Sequence, residues 1–540
     1  MATRKDELSA YSFARKRTVA AFLAPSPGGS EEGAPRPLKT VMPSLIVGVV
    51  LVVGCVGWGV IKPSAPKGWD EPGKYIIVDS DSTTRYVVLP DKGPGGKVTP
   101  TLHPVLNYAS AKLLLDKGKG EVLEVKGSEI DKSGIAHGAT LGVPYAPDRL
   151  PTAADAEKAK VWAVCERPAV GTSMNIDRAV FVLNEKDASA VTDPAKGALG
   201  PADVLYVVDS TTEKQYIVDS KGTRFEVGHA PAVAGTPAGI RQDQLTTAVM
   251  GGAPNPQRVS KEWLDSLNKG VDIDFPAVPG QGETTSVPKM PQNAQKVGQV
   301  LQSQDAQGTQ FYVVLQDHVA VVSPFVAQLL RGVPGASQLY ADGSTDPVKV
   351  NAGDMITANG GRATSFYGNK GWPKAAPKWA NTSEPAAGLK ARNTACSVYK
   401  GTIAGGKAPE LTAWAGSAYP KNVVADSLNA FVSSGSGLLF QEVSGTVAGG
   451  GATYLLTDTG LRYALPATND STADKSKSTT ANSSSSSSST GEDASETDKA
   501  RTRLGYEKVA LVAPVPATWA EFIPKGPTLD TGAASQPQSQ

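Results

Sequence analysis

Four segments of this chain repeat one short pattern, in which an apolar strand and a polar turn precede a tyrosine and two aliphatic residues. The segments are KYIIVDSDSTTRYVVL (74–89), LYVVDSTTEKQYIVDSKGTRFEV (205–227), VLQSQDAQGTQFYVVLQDHVAVV (300–322) and LLFQEVSGTVAGGGATYLLTDTGLRYAL (438–465). β-Branched and aromatic residues around turns rich in Ser, Thr, Asp and Gly predict β-hairpins. The repeated tyrosines are too unevenly spaced for a stacked solenoid. The pattern therefore predicts four copies of a small β-rich module on a central body.

An apolar stripe at helical spacing follows two of these hairpins. It runs through LHPVLNYASAKLLLD (102–116) after the first copy, and SPFVAQLLRG (323–332) is similar after the third. Each module is therefore predicted to be a hairpin plus a helix. His103 lies off the stripe, and a local hydrogen bond near a helix start is a simpler interpretation for it than a catalytic role.

The composition favours short strands and turns over long helices. The 540 residues include 56 Gly and 40 Pro, and only 19% are charged, against about 25% in an average soluble domain. The 53 basic and 52 acidic residues give a net charge of +1, so there is no basic surface typical of a nucleic-acid binder. Four His and three Cys argue against a metalloenzyme. Coiled coils and helical repeats are also disfavoured.

An uncharged apolar run from Val41 to Ile61 predicts one membrane-spanning helix. At about 1.5 Å per residue it would cross about 31 Å, the thickness of a bilayer hydrocarbon core. A buried core helix would be shorter, and a cleavable signal peptide would have a shorter basic region and a shorter apolar run. Seven Lys and Arg in residues 1–40 place that end in the cytoplasm by the positive-inside rule. Residues 63–540 are then extracytoplasmic.

Two cysteines lie outside the predicted span, in strand-like surroundings. They are Cys165 in VWAVCERP and Cys396 in NTACSVYK, whereas Cys55 lies inside the span. Disulfides persist outside the cytoplasm. A Cys165–Cys396 bridge would join the two less repetitive regions, roughly 120–200 and 355–432, as halves of one central domain. Two unrelated buried thiols are the alternative.

One segment approaches a nucleotide-binding motif. Gly401, Gly406 and Lys407 have the G-x-x-x-x-G-K spacing, in which backbone N–H groups hold phosphates and the lysine meets them. The next position, which should supply a hydroxyl to Mg²⁺, is Ala408, and Pro409 follows without an amphipathic helix. A Gly-rich turn is therefore the favoured interpretation. No cofactor is predicted, and ATP with Mg²⁺ enters only under the alternative.

The other usual catalytic and metal-binding motifs are not found. The sequence has no H-E-x-x-H, no paired C-x-x-C and no G-x-S-x-G. Acidic residues such as Asp79, Asp81, Asp209 and Asp219 recur around the hairpin turns. Asp favours turns because its side chain bonds to nearby backbone N–H groups. We assign these residues no catalytic role.

Residues 467–500 form a low-complexity segment with seven consecutive serines and almost no large apolar side chain. Such a segment cannot bury a core and is predicted to be a disordered insert. The predicted organisation is a basic segment (1–40), a transmembrane helix (41–62), a stalk (63–73), module 1 (74–118), the first half of the central domain (119–200), module 2 (201–295), module 3 (296–350), the second half of the central domain (351–432), module 4 with its insert (433–527) and a loose tail (528–540).

Several segments in this order resemble the EccB family, the membrane-anchored core component of the actinobacterial type VII (ESX) secretion system. They are YSFARKRTVAAFL, the single apolar span, LHPVLNYASAKLLL, LGVPYAPDRLP, the two cysteines and FIPKGPTLD. The resemblance runs from about residue 8 to 530, and LHPVLNYASAKLLL is its most specific motif. The Ser-rich insert departs from the family pattern.

The resemblance implies a single-pass protein with a β-rich α+β ectodomain, in which four modules surround a central β-sheet domain. It implies an oligomeric inner-membrane complex with EccC, EccD and EccE, and a family disulfide on Cys165 and Cys396. The modules are similar in fold to a cell-wall-binding subunit of a phage lysin, so peptidoglycan is a candidate partner. We therefore expect a non-catalytic structural subunit. An ATP-hydrolysing component and a cell-wall-binding module are the alternatives.

Overall fold

The computed structural model describes most of the chain, apart from the two ends and several internal segments. The described residues are 3–23, 38–61, 65–92, 96–169, 175–228, 236–251, 255–306, 308–358, 365–382, 392–404, 408–423, 430–444, 451–466, 496–509 and 513–538. Residues 467–495 of the predicted insert lie outside them. The fold divides into two compact units.

Short strands outnumber helices along the described chain. The helices are α1 (Arg4–Leu23), α2 (Leu38–Ile61), α3 (Tyr108–Leu114), α4 (Gly127–Lys132), α5 (Ala153–Ala156), α6 (Glu185–Thr192), α7 (Pro237–Met250), α8 (Lys261–Asp265), α9 (Pro324–Arg331), α10 (Ala352–Ala358), α11 (Glu496–Arg503), α12 (Ala517–Ala520) and α13 (Thr531–Ala534). The strands are β1 (Tyr75–Asp79), β2 (Arg85–Lys92), β3 (Val98–Val105), β4 (Glu121–Val125), β5 (Ala136–His137), β6 (Val161–Pro168), β7 (Ile176–Leu183), β8 (Asp203–Asp209), β9 (Gln215–Asp219), β10 (Thr223–Glu226), β11 (Gln257–Val259), β12 (Asn268–Lys269), β13 (Val300–Asp305), β14 (Gly308–Val314), β15 (Val319–Val322), β16 (Val348–Lys349), β17 (Lys378–Trp379), β18 (Thr394–Ala404), β19 (Ala408–Gly416), β20 (Ala430–Val432), β21 (Leu438–Val443), β22 (Thr453–Leu456), β23 (Arg462–Leu465) and β24 (Ala513–Pro516).

The first unit consists of residues 1–69 with the short segments 79–82 and 123–134. Helix α2 contains the apolar run predicted to span a membrane, but the side chains at its two ends lie outside the described residues. Across the described part of the chain, no helix meets both the length and the hydropathy needed to cross a membrane. The single span therefore stays a prediction.

The second unit contains four sheets that each begin with an antiparallel meander of three strands. The meanders are β1-β2-β3, β8-β9-β10, β13-β14-β15 and β21-β22-β23, and each contains one of the hairpins predicted from the sequence. A helix follows each meander, namely α3, α7, α9 or α11. In the last three sheets a later strand then returns parallel to the first strand of its meander: β11 beside β8, β16 beside β13 and β24 beside β21.

A fifth sheet, which we call the central sheet, has the strand order β19-β18-β6-β7-β20. Its strands come from two stretches of chain separated by the second and third meanders. One face packs Trp162 and Val164 against Leu205 of the second meander sheet and Phe440 of the fourth. The central sheet therefore lies at the main hydrophobic core of the unit.

The helix predicted over 102–116 is shorter than expected. Strand β3 continues to Val105, and α3 begins after Asn107, whose side chain accepts a hydrogen bond from the Ser110 N–H. The reason is Pro104, which lacks an N–H group and disfavours a helical conformation at the residue before it. His103 consequently lies in a strand and not near a helix start.

The tail predicted to be loose is packed. Helix α13 lies within residues 528–540, and Leu529 and Ala534 are fully buried beside Leu113 of α3. Helix α11 likewise begins at Glu496, inside the predicted insert, and buries Ala500. Both differences from the prediction have the same cause. A few apolar residues in a polar stretch give too weak a local signal to indicate that a distant segment will pack against them.

Candidate functional site

The predicted disulfide is present within the central sheet. Cys165 on β6 lies directly opposite Cys396 on the antiparallel strand β18, with the two Cα atoms 4.0 Å apart. Both cysteines are fully buried, on the face of the central sheet that also packs Phe181 and Trp414. The bridge closes a loop of 231 residues, and it therefore joins the two halves of the central sheet covalently.

The residue after Cys165 is a carboxylate with no exposed surface. Glu166 accepts hydrogen bonds from Arg178 Nε at 2.7 Å and from the Ser260 hydroxyl at 2.7 Å on one oxygen. Its other oxygen accepts from the Ser260 backbone N–H at 2.8 Å. A buried charge is tolerated when it is paired and hydrogen-bonded in this way. Ser260 also caps α8, so Glu166 attaches that helix to the central sheet.

Two further hydrogen bonds join the second meander sheet to β6. The Trp263 indole N–H donates to the Val164 carbonyl at 2.9 Å, and the Gln257 side chain donates to the Glu166 carbonyl at 2.9 Å. Asn381 extends this network, since its amide bonds to both the Tyr206 backbone and the Gln257 side chain. The network is buried throughout, so it resists exchange with water.

A second buried ion pair connects the central sheet to the fourth meander sheet. Lys160, with only 2% of its side chain exposed, lies 2.9 Å from Asp155, which also accepts from the Ser436 hydroxyl and the Gly437 N–H at 2.8 Å each. Burial by itself raises the pKa of Asp155. The hydrogen bonds from Lys160, Gly437 and Ser436, together with the lysine charge, outweigh burial and hold this pKa below its ordinary value.

Together these groups form what we call the buried polar frame: Cys165–Cys396, Glu166–Arg178–Ser260, Gln257–Asn381 and Lys160–Asp155. Sequence reasoning identified only its cysteines. Among its other members, only Glu166 has a local signal in the sequence, because it is a charged residue inside an apolar strand. Their partners lie up to 281 residues away, between Asp155 and Ser436, and no spacing rule connects them.

The candidate nucleotide loop is described only in part. Gly406 and Lys407 lie outside the described residues. Gly401 lies at an irregularity of β18 with φ +82°, and a Cβ atom there would lie 2.4 Å from the Lys160 carbonyl oxygen. This close approach accounts for the glycine without a ligand. Ala408 begins the antiparallel partner strand β19, whereas a phosphate-binding loop leads from a strand into a helix.

Asp79 and Asp209 bond to their own turns, whereas Asp81 accepts a hydrogen bond from the Gly127 N–H at 3.2 Å. Asp209 accepts from the Thr211 N–H and the Thr212 hydroxyl, each at 2.8 Å. Asp79 accepts in the same way from the Asp81 N–H at 2.9 Å and the Ser82 hydroxyl at 2.6 Å. The Ser82 bond contributes most to lowering the pKa of Asp79. These are Asx turns, and they agree with the structural role expected from the sequence.

Two depressions open on the surface of the second unit. A groove of about 470 Å³ runs between α7 and the end of α9 and has both polar and apolar walls. A polar pocket of about 100 Å³ is lined by Tyr216, Arg224, Glu226, Lys269 and Asp272. Burial, aided by the Glu226 charge, raises the pKa of Tyr216 to about 12, so this hydroxyl stays neutral. No cluster of three or more His, Cys, Asp or Glu suited to a metal ion occurs among the described residues.

Comparison with known proteins decides the family. The model described as "Type VII secretion system ESX-1, transport TM domain B" matches residues 1–539. The chain belongs to the EccB family. The EccB5 protein of Mycobacterium marinum, named an ESX-5 secretion system ATPase, is 28% identical over 65% of this chain and 62% of its own length. The EccB3 protein of Mycobacterium tuberculosis, named an ESX-3 secretion system ATPase, is 24% identical over 79% of this chain and 75% of its own length.

Chains in solved structures of ESX complexes share the fold. A chain in an intact ESX-5 inner membrane complex superposes with a TM-score of 0.53 at 20% identity, covering all of this chain and 96% of that one. An EccB3 dimer from the ESX-3 core complex gives a TM-score of 0.53, covering 85% of this chain and 99% of that one. The match spans less than two thirds of the length of the EccB5 relative from Mycobacterium marinum, at 62%. The β-rich α+β fold expected from the sequence is thus confirmed.

Proposed function

We propose that this chain is a non-catalytic structural subunit of a type VII secretion membrane complex, in which it supports an extracytoplasmic ectodomain. The observation that carries the proposal is the buried polar frame. In this frame, hydrogen-bonded groups that are largely buried join the central sheet to two meander sheets. Such groups in an enzyme usually face a cleft and a reacting atom. Here they hold sheets together.

The disulfide supports the same assignment. A bridge over 231 residues lowers the entropy of the unfolded chain, and it persists only in an oxidising compartment. Residues 1–40 remain on the cytoplasmic side in this proposal, residues 41–62 cross the membrane, and residues 63–540 lie outside. The partners are then the other type VII core subunits, EccC, EccD and EccE.

The test is gentle detergent extraction of the C-terminally tagged full chain from native membranes, followed by native sizing and identification of the co-eluting chains. The proposal expects a particle far above the 55.9 kDa chain mass that contains a cytoplasmic motor ATPase and multispanning subunits. A matched sample with Cys165 and Cys396 both changed to Ser should lose that particle while the membrane-inserted chain persists. A monomer from the unaltered chain would refute the scaffold role.

ATP hydrolysis is the second function to test, because curated EccB relatives are named ATPases and the 401–407 spacing is present. Under this alternative the purified full chain turns over ATP with Mg²⁺, and Lys407→Ala abolishes the turnover. Lys400→Ala is the matched control, since Lys400 pairs with Glu410 at 2.7 Å and has no phosphate-binding position. Turnover that is absent, or equal in both variants, excludes the loop.

A further inference from the structure

His103 is buried in β3 between two oxygen atoms. Its Nε2 lies 2.8 Å from a carboxylate oxygen of Asp91 on β2, and its Nδ1 lies 2.8 Å from the Ala139 carbonyl oxygen. The side chain is only 8% exposed. A carbonyl and an ionised carboxylate can only accept hydrogen bonds, so each ring nitrogen must supply a proton. We infer that His103 is an imidazolium in the folded protein and acts as a pH-sensitive clasp that holds the C-terminal segment.

The backbone at Gly138 packs closely against the imidazole ring of His103. A Cβ atom at Gly138 would lie 2.2 Å from the Cε1 atom of His103, so the backbone of this loop rests on the imidazole. The Gly138 N–H donates to the Leu102 carbonyl at 2.9 Å, which sets the loop against β3. Only glycine permits this approach. The contact therefore transmits any change at the ring directly to residues 138–142.

The same loop binds the end of the chain. The Gln538 N–H donates to the Thr140 carbonyl at 2.9 Å, and the Gln538 side chain donates to the Gly142 carbonyl at 2.7 Å. Leu141 forms an antiparallel bridge with Pro537. The hydrogen-bonded path thus runs from Asp91 through His103 and the loop to Gln538. Through this path, a proton on His103 stabilises the docking of residues 536–538.

The surroundings give the sign of the pH effect. The charged group in contact with the His103 ring is Asp91, and Val87 lies opposite His103 on β2. The neighbouring strand β5 contains His137, whose ring packs edge-on against Tyr86. Removing a proton from either ring nitrogen leaves a lone pair facing an acceptor oxygen. That arrangement is repulsive, so the clasp opens as the pH rises and closes as it falls.

Hydrogen exchange of the full chain in detergent, followed by mass spectrometry of peptides covering 136–142 and 530–538, tests this device. Protection of both peptides, corrected for intrinsic exchange, should fall about tenfold on raising the pH from about 6 to about 8.5, as expected for one unsatisfied buried acceptor. In His103→Gln the pH dependence should vanish. The control His318→Gln, in the turn between β14 and β15, should retain it.

A second measurement covers the case in which His103→Gln does not fold. With ¹⁵N-histidine labelling of the unaltered chain, the four histidines are few enough to assign. Two N–H groups on the His103 ring at neutral pH support the inference, and a single N–H overturns it. In Asp91→Asn the side-chain amide can donate to a neutral ring nitrogen while the other nitrogen still donates to the Ala139 carbonyl, so the fall of protection with rising pH should be lost. A fall as steep as in the unaltered chain would also overturn the inference.

Discussion

The Nε atom of Arg178 lies 2.7 Å from a carboxylate oxygen of Glu166, a side chain that has no exposed surface. Glu166 directly follows Cys165 on β6, whereas Arg178 lies on β7, so the disulfide and the buried carboxylate are adjacent in one strand. The same arginine contacts Glu262 at 3.2 Å, but that carboxylate is 65% exposed. Arg178 therefore pairs with one buried and one exposed carboxylate. Removing each carboxylate in turn separates the effect of burial from the effect of charge.

Glu166→Ala should destabilise the ectodomain by about 2–3 kcal/mol, because it leaves the buried N–H and hydroxyl of Ser260 without their acceptor. Glu262→Ala removes a carboxylate from the same arginine at an exposed position and should cost less than about 1 kcal/mol. Chemical denaturation of the two variants, followed by tryptophan fluorescence, provides the comparison. Equal losses in both variants would show that burial of Glu166 adds nothing.

Removing the disulfide should also destabilise the fold. The double change Cys165→Ser and Cys396→Ser is expected to lower the free energy of unfolding by about 2–5 kcal/mol, since the unfolded chain regains the freedom of a long loop. Cys55→Ser is the control, because Cys55 is exposed on α2 and forms no bridge. The measurement is the denaturation midpoint with and without reductant. A reductant effect that persists in the double variant would count against this explanation.

The sequence predicted the hairpins within the meanders well because their signals are local. At Asp209 the strand ends in a polar turn, and Tyr216 begins the next apolar run, so a window of a dozen residues contains the whole hairpin. The apolar stripe in 323–332 similarly predicted α9, and the structure adds that the Ser323 hydroxyl caps this helix by accepting the Val326 N–H. Turn chemistry and helix capping are encoded within a few residues of where they act.

The parallel strands, and the members of the buried polar frame other than the cysteines, could not be predicted in this way. Strand β16 is only two residues long, and it exists because Val348 pairs with Leu301, far away in the chain. Glu166 likewise reads as an exposed strand residue until Ser260 is brought against it. Periodicity reports which face of an element is apolar, but it does not report which distant polar group will meet a buried charge.

The acid stability of the fold should depend on Asp155. Its pKa is lower in the folded protein than the ordinary value of 3.8, so its ionised form contributes stability above that value. This contribution is lost as the pH falls below 3.8 and through the folded pKa. Asp155→Asn should therefore flatten the fall of the denaturation midpoint below about pH 4. Because the substitution also alters neutral stability, the slopes with pH are compared; an unchanged slope would contradict the assignment.

Gly401 distinguishes a structural glycine from a ligand-binding one. Gly401→Ala places a Cβ atom 2.4 Å from the Lys160 carbonyl oxygen and forces a left-handed conformation on alanine, so we expect a loss of about 2 kcal/mol or more. Gly353→Ala is the control: it lies in α10, where a Cβ atom meets nothing within 4 Å, and alanine should be neutral or stabilising by up to about 1 kcal/mol. Thermal denaturation of both variants measures the difference. If Gly401→Ala retained full stability, the close contact with Lys160 could not be the reason for glycine, and a ligand at the 401–407 segment would regain support.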